Sequence, residues 1–362
     1  MKSKGQLIAR KMWGGRAGLF GTILSFLLLP VEGLWRLITG IRNRYADLRT
    51  GERIEGLPIV SVGNLAVGGT GKTPIASWVA RELTELGARP AILQGRYGAD
   101  EALLHAHWIP QMPVIVEGDR SKALTRALAA GADVGILDDG FQHRRVGRDV
   151  DLVVLATEDR FPAPVLPRGP YREPASALRR ADAVIITRRT ASVEEAFELG
   201  RRVRAQVSST CTIASLRFET KTLTALGDSS ETLCLPQVTK PYETMSFERP
   251  LESKGGWTPF LENIFVFTAV GRPETVIATV ERLTTGSVEM CAFADHYHFT
   301  EADISSVREE AGSRPILVTE KDAVKLSNSA EQLAPCYIVE QEIVWDWGRD
   351  DVRTILREGT VA

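Results

Sequence analysis

The run Asn64-Leu65-Ala66-Val67-Gly68-Gly69-Thr70-Gly71-Lys72-Thr73-Pro74 combines closely spaced glycines with a lysine and a hydroxyl. Glycines let backbone N–H groups curve around phosphate oxygens, and a helix beginning behind them adds partial positive charge. Before the run lies Leu57-Pro58-Ile59-Val60-Ser61-Val62, a buried-strand pattern; after it, Ile75, Ala76, Val79, Ala80 and Leu83 recur at helical spacing. Strand, glycine loop and helix in that order are the setting of a P-loop. Gly68, Gly69, Thr70, Gly71, Lys72 and Thr73 are therefore candidate contacts to ATP. Lys72 would reach the β- and γ-phosphates, and the Thr73 hydroxyl would hold Mg²⁺. The leading glycine of the usual pattern is Ala66 here.

Two carboxylates, Asp138 and Asp139, directly follow the apolar run Val134–Leu137, where a P-loop protein keeps its Mg²⁺-binding aspartate. Both are candidate metal ligands, and Asp139 joins Lys72 among the groups acting on the transferring phosphoryl. A third constellation is Asp295-His296-Tyr297-His298. In an extended segment the two histidines would face one side, as a metal pair or with one of them carrying or orienting a proton.

The elements that must position these groups alternate strand with helix. Strands are expected at 89–94, 112–118, 134–137, 151–156 and 181–188, with a helix through Ala123–Ala130. That alternation implies a parallel sheet with ligands at the carboxyl ends of its strands. From about 215 to 260 the pattern turns polar and rich in turn residues, as an irregular connector would. A second α/β run follows: strand and helix in 264–283, strand, loop and helix in 287–311, then a strand and a loop in 314–326. The expected organisation is a membrane-associated segment 1–40, a P-loop core 41–215, a connector 216–260 and a smaller α/β domain 261–362.

Composition agrees with a globular chain: 362 residues, 44% hydrophobic and 25% charged, with net charge −2 that gives nucleic acid no electrostatic purchase. The four cysteines are scattered, unlike a zinc site or disulfide framework. The exception is Ala17–Val31, uncharged and preceded by Lys2, Lys4, Arg10, Lys11 and Arg16. It is short for a span and lacks a small-x-small cleavage site, so a helix lying in or dipping into a membrane face is expected, anchored by Trp13 and Trp35.

Assembled in order, "RNRYADL", "VGNLAVGGTGKTP", "DDGFQHRRVGRDVDLVV", "LPRGPYREP", "GRPETV", "FADHYHFTEADI" and "VTEKDAVKL" make the chain resemble the tetraacyldisaccharide 4′-kinases (lipid A 4′-kinases) of Gram-negative bacteria over most of its length. The resemblance implies an α/β P-loop domain with a second, smaller α/β domain and an N-terminal membrane-associated helix. It implies transfer of the ATP γ-phosphate to the 4′-hydroxyl of tetraacyldisaccharide 1-phosphate, forming lipid IVA at the cytoplasmic face of the inner membrane. Partners would be that lipid and inner-membrane lipids; a monomer is expected. Arg16, Arg42, Arg44 and Arg49 are near enough in sequence to the apolar segment to meet the acceptor's 1-phosphate or anionic lipids.

By the same resemblance Lys72 and Thr73 match the phosphate and Mg²⁺ pair, and Asp138 and Asp139 the acidic pair. His296 matches the histidine that orients the catalytic base, and Asp100 is the nearest match to that base. Departures cluster there. The family's Ser-Arg-Gly-Tyr-Gly reads Gln94-Gly95-Arg96-Tyr97-Gly98, Ala102 replaces a proline, and the stretch to the acidic pair is shorter. Two other classes compete: a membrane-associated ATPase switch, whose hallmark lysine is replaced here by Val67, and a non-catalytic ATP-binding homologue.

Overall fold

The computed structural model describes residues 12–13, 18–49, 51–96, 99–234 and 262–360. The chain divides into two units: a larger one of Lys2–Arg217 and Ile343–Ala362, and a smaller one of Phe218–Glu342. The C-terminal segment therefore belongs with the P-loop unit, not with the 261–362 unit expected from sequence.

The larger unit opens with α1 (Gly18–Leu27) and α2 (Leu29–Asp47), bent by 50° at their junction. Pro30, at the end of the apolar run, sits in the first turn of α2, where its missing N–H costs nothing. There follow β1 (Ile59–Asn64), α3 (Lys72–Glu85), β2 (Pro90–Gln94), α4 (Ala99–Trp108), β3 (Val114–Val116), α5 (Arg120–Ala129) and β4 (Val134–Asp138). Then come β5 (Val150–Ala156), β6 (Ala183–Arg188), α6 (Val193–Arg204) and β7 (Thr212–Ala225). The order is β7-β6-β5-β1-β4-β2-β3, each neighbouring pair parallel. Strand β1 lies between β4 and β5, so the order reverses beside it, and the carboxyl ends of β1 and β4 flank the crevice where such sheets bind ligands.

These strands read as near-continuous apolar runs because both sheet faces are covered. Every residue of β1, β2, β4 and β6 is buried. One core cluster gathers Leu65, Phe141, Val153, Val184 and Leu199; another gathers Ile59, Leu93, Leu124 and Leu137. Gly63, at the end of β1, meets the turn after β4 so closely that a Cβ there would lie 2.5 Å from the Cβ of Phe141. Any side chain at this position would push the acidic turn off the strand.

In the smaller unit are the end of β7, β8 (Asp228–Cys234), β9 (Asn263–Thr268), α7 (Pro273–Val280), β10 (Ser287–Ala292), α8 (Glu301–Ala311), β11 (Ile316–Thr319), α9 (Glu320–Leu326), α10 (Ala330–Leu333) and the start of β12 (Cys336–Trp347). Its order is β10-β9-β11-β12-β7, with β8 antiparallel on β7. Strand β7 and its hairpin occupy 216–234, which sequence assigned to an irregular connector; the remainder of that stretch, 235–261, lies outside the described residues. The loop expected after β11 is a helix, α9, whose first turn is capped by Thr319 Oγ1 accepting from Asp322 N at 3.2 Å.

After β12 the chain ends in α11 (Arg349–Thr360), which packs against the P-loop helix α3. Arg349 and Arg353 meet the buried Glu82 of α3 at 2.6 and 2.9 Å, and the Trp78 and Trp345 rings are 4.7 Å apart.

Candidate active site

Strand β1 delivers the glycine loop into α3, and the loop's last residue, Gly71, has φ 93° and ψ 21°. This left-handed conformation admits glycine readily and turns the chain so that Lys72 and Thr73 open the helix. Thr70 is pinned from two sides: its Oγ1 accepts from Asn64 Nδ2 at 2.8 Å, and its carbonyl from Thr187 Oγ1 on β6 at 2.9 Å. Gly68 carries a positive φ of 123° beside Gly69, so the loop uses glycine where the backbone demands it.

At the end of β4 the two aspartates enter different surroundings. Asp139 has φ 56°, a left-handed turn that directs it away from its neighbour's path. Its Oδ1 lies 3.6 Å from Lys72 Nζ, and Arg172 grips it with both terminal nitrogens, at 2.7 and 2.9 Å. Arg172 also donates to Asn64 Oδ1, linking the acidic turn to the glycine loop. Burial would raise the Asp139 pKa, but Lys72 and Arg172 outweigh it and hold the carboxyl well below the usual range.

Asp138 is buried. Its Oδ2 lies 3.0 Å from His105 Nε2, while its Oδ1 has no hydrogen-bond partner among the described residues. Arg120, at the start of α5, donates to the carbonyls of Leu93 at 3.0 Å and Asp138 at 3.4 Å. Burial and the nearby Arg120 lower the His143 pKa, with Asp139 opposing them. Gln142 donates to the Asn64 carbonyl at 2.9 Å, closing the acidic turn onto β1.

The structure thus brings together Thr70, Lys72, Asp138 and Asp139, with Thr73 in the first turn of α3. Asp100 is buried in the first turn of α4, where its Oδ1 accepts from Glu101 N at 3.2 Å. His296 belongs to the smaller unit, 3.8 Å from Asp295, whose carboxylate also meets Lys321 at 3.2 Å. The segment is not extended as sequence implied. Tyr297 N bonds the Ala294 carbonyl at 3.1 Å and His296 has φ 60°, so alternation does not place His296 and His298 on one face. Sequence reasoning passed over Asn64, His105, Arg120 and Arg172 as site residues. Two of them carried a signal, Asn64 inside "VGNLAVGGTGKTP" and Arg172 inside "LPRGPYREP".

A buried carboxylate oxygen without a donor, a second carboxylate and a hydroxyl at a helix start are an all-oxygen set of the kind Mg²⁺ takes. Asp138 Oδ1, without a donor among the described residues, suits such an ion; Asp139, whose two oxygens accept from Arg172, and Thr73 are its expected companions.

Helix α2 docks beside the site. Trp35 Nε1 donates to the Arg172 carbonyl at 3.0 Å, Trp13 Nε1 to that of Pro167 at 3.1 Å, and Asn43 Nδ2 to buried Glu173 at 2.6 Å. Both indole N–H groups therefore fasten the segment to the protein. Arg42 lies 3.8 Å from Glu173 and Arg49 stacks over Tyr45; Arg16 lies outside the described residues. No single helix among the described residues is long and apolar enough to cross a membrane. Leu19, Phe20, Phe26, Leu37 and Ile41 are nonetheless exposed along α1 and α2.

The sequence model of the tetraacyldisaccharide-1-P 4′-kinase family (LpxK) matches residues 24–100 and 95–359. A tetraacyldisaccharide 4′-kinase of Anaeromyxobacter sp. (strain K) is 33% identical over 343 residues, 87% of this chain and 84% of that protein. That of Syntrophus aciditrophicus is 33% identical over 354 residues, and that of Vibrio cholerae 28% over 347, covering 86% and 90% of this chain and 87% and 89% of theirs. The crystal structure of LpxK from Aquifex aeolicus in complex with ATP shares the fold, with TM-score 0.66 and 23% identity over 93% of this chain and 99% of that one. With a family match spanning nearly the whole chain and relatives 33% identical over most of it, this chain belongs to the tetraacyldisaccharide 4′-kinase family.

Proposed function

We propose that this chain transfers the γ-phosphate of ATP to the 4′-hydroxyl of tetraacyldisaccharide 1-phosphate, forming lipid IVA in lipid A biosynthesis. The observation that carries the reading is the convergence of Lys72, Arg172 and Asp139 beside the glycine loop, with Asp138 the preceding residue at the end of β4. Phosphoryl transfer asks little covalent chemistry of a protein, so positioning and charge neutralisation dominate. The loop N–H groups and Lys72 take the phosphates, while Asp139 holds the Lys72 and Arg172 cations in place. Thr73, Asp138 and Asp139 would hold Mg²⁺, which when bound neutralises charge on the phosphate oxygens. The acceptor oxygen bonds to the γ-phosphorus as the bond to the β–γ bridging oxygen breaks, and ADP departs.

Asp100 is assigned to take the hydroxyl proton and His296 to assist the proton transfer, both on the family resemblance. The exposed apolar face of α1 and α2 supports residence at the cytoplasmic face of the inner membrane, where the acceptor's headgroup lies. We assign the working state as a monomer.

The test is transfer from γ-labelled ATP to tetraacyldisaccharide 1-phosphate in mixed micelles, with wild type beside Lys72→Ala and Asp100→Asn. Labelled lipid from wild type alone supports both the reaction and its base. Label from Asp100→Asn as well moves the base elsewhere. None from wild type, with ATP still bound, refutes the reaction.

A further inference from the structure

We propose that His105 is a positioning residue that fixes the Asp138 carboxylate through one oxygen and leaves the other to the metal. This rests on the phosphoryl-transfer reading and adds a part that the P-loop motifs do not contain. Three elements meet in the link: Ser77 on α3, His105 on α4 and Asp138 at the end of β4. The Ser77 Oγ to His105 Nδ1 distance is 2.7 Å and the His105 Nε2 to Asp138 Oδ2 distance is 3.0 Å. The His105 ring is wholly buried, and Ser77 and Asp138 nearly so.

An ionised carboxylate can only accept, so Nε2 carries the proton and donates it to Oδ2. Nδ1 is then the acceptor for the Ser77 hydroxyl, and the two bonds together select one tautomer and one ring orientation. Trp108 meets the ring edge-on at 6.5 Å, limiting its rotation further. Ser77 lies one helical turn beyond Thr73, so the link ties the acidic strand end to the helix that begins at the phosphate loop.

Several buried side-chain atoms lack a hydrogen-bond partner among the described residues, and Asp138 Oδ1 is the one on the carboxylate that His105 holds by its other oxygen. A histidine serving only to satisfy the core would have no reason to leave it so. With Oδ2 occupied by the imidazole, the carboxylate is restricted to one-oxygen coordination, and the ring keeps Oδ1 from swinging away. Arg120 reaches the Asp138 backbone carbonyl, not this side-chain oxygen, so it does not duplicate the role.

The test measures Mn²⁺ binding by electron paramagnetic resonance, with a non-hydrolysable ATP analogue present, in wild type, His105→Leu, His105→Gln and Ser77→Ala. His105→Leu keeps the volume and loses both bonds. We expect its Mn²⁺ affinity to fall about 10- to 100-fold, the usual effect of losing a partner of a metal ligand. Analogue binding without metal should remain within about threefold. His105→Gln, which can still donate to Oδ2, should recover most of the affinity. Ser77→Ala should weaken Mn²⁺ severalfold by releasing the tautomer.

Wild-type Mn²⁺ affinity in His105→Leu, or a His105→Gln no better than His105→Leu at equal melting temperature, overturns the assignment. If His105→Leu does not fold, Ser77→Ala decides it, and an unchanged affinity there overturns it equally. Failure of wild type itself to bind Mn²⁺ with the analogue refutes the phosphoryl-transfer reading and this inference with it. The two failures are therefore distinct.

Discussion

Arg172→Ala removes one guanidinium from three contacts: two to Asp139, at 2.7 and 2.9 Å, and one to Asn64 Oδ1. The Asp139 side chain is 42% exposed and that of Arg172 24%, so solvent screens the pair and its loss costs only about 1 kcal/mol. Asn64 is fully buried, and losing the donor to its Oδ1 costs about 1–2 kcal/mol more, the usual penalty for an unpaired buried acceptor. The sum is about 2–3 kcal/mol. In an Asn64→Ala background the second contribution vanishes, so a double-mutant cycle should return a coupling of about 1–2 kcal/mol. Arg172→Lys keeps the charge but loses the two-pronged grip and should fall between. Urea unfolding of wild type, both single variants and the double variant, with slopes compared as well as midpoints, gives the four values. Additivity within about 0.5 kcal/mol, or Arg172→Lys as stable as wild type, would refute the claim that this arginine ties the acidic turn to the glycine loop.

Lys72→Ala and Asp138→Ala should each lower kcat by about a hundredfold or more in the labelled-lipid assay, with circular dichroism unchanged. Asp346, joined to Arg188 at 2.7 Å with both side chains buried, should cost about 3 kcal/mol when changed to Asn, because Arg188 is left buried and uncompensated; calorimetry reads this. Burial raises the Asp346 pKa, but the bonds from Arg188, Arg217 and Ser215 outweigh it and hold the folded value below the ordinary one. Its contribution is therefore complete above about pH 4 and is lost as pH falls through the lower folded value, so stability plotted against pH should be flatter below about pH 4 in Asp346→Asn. Changing exposed Phe20 and Phe26 to Asp should leave stability within about 0.5 kcal/mol. The same change should weaken co-sedimentation with anionic vesicles while soluble ATP binding persists; equal loss of both would contradict a membrane role for α1.

The P-loop was legible because its information is contiguous: a strand, glycines at fixed offsets and a helix leave their pattern in one stretch. Asp138 and Asp139 were legible for the same reason, following directly on β4. His105 was not, since it becomes functional only by contacts between elements distant in sequence, and a histidine on a helix announces no partner; "LPRGPYREP" held Arg172 but not the Asp139 and Asn64 that it grips. Strand β7 was hidden by its composition: Thr222, Leu223 and Thr224 are all buried, so hydroxyls stand where a buried strand would show hydrocarbon.

Adjacent aspartates with one motif name do not share one task. A strand continued through Asp138 and Asp139 would send their side chains to opposite faces of the sheet. Instead the left-handed turn at Asp139 swings its carboxylate to the loop, where Lys72 and Arg172 claim it, while Asp138 stays with the strand and meets the His105 ring. The first is charge-compensated and part-exposed; the second is buried, with Oδ1 unpartnered among the described residues. A site that must bind a polyanion needs cations held ready but not spent, and Asp139 serves that end. It also needs an oxygen whose bond to a metal competes with no donor already in place, and that describes Asp138 Oδ1. The left-handed backbone at one residue is what allows two neighbours to meet both needs.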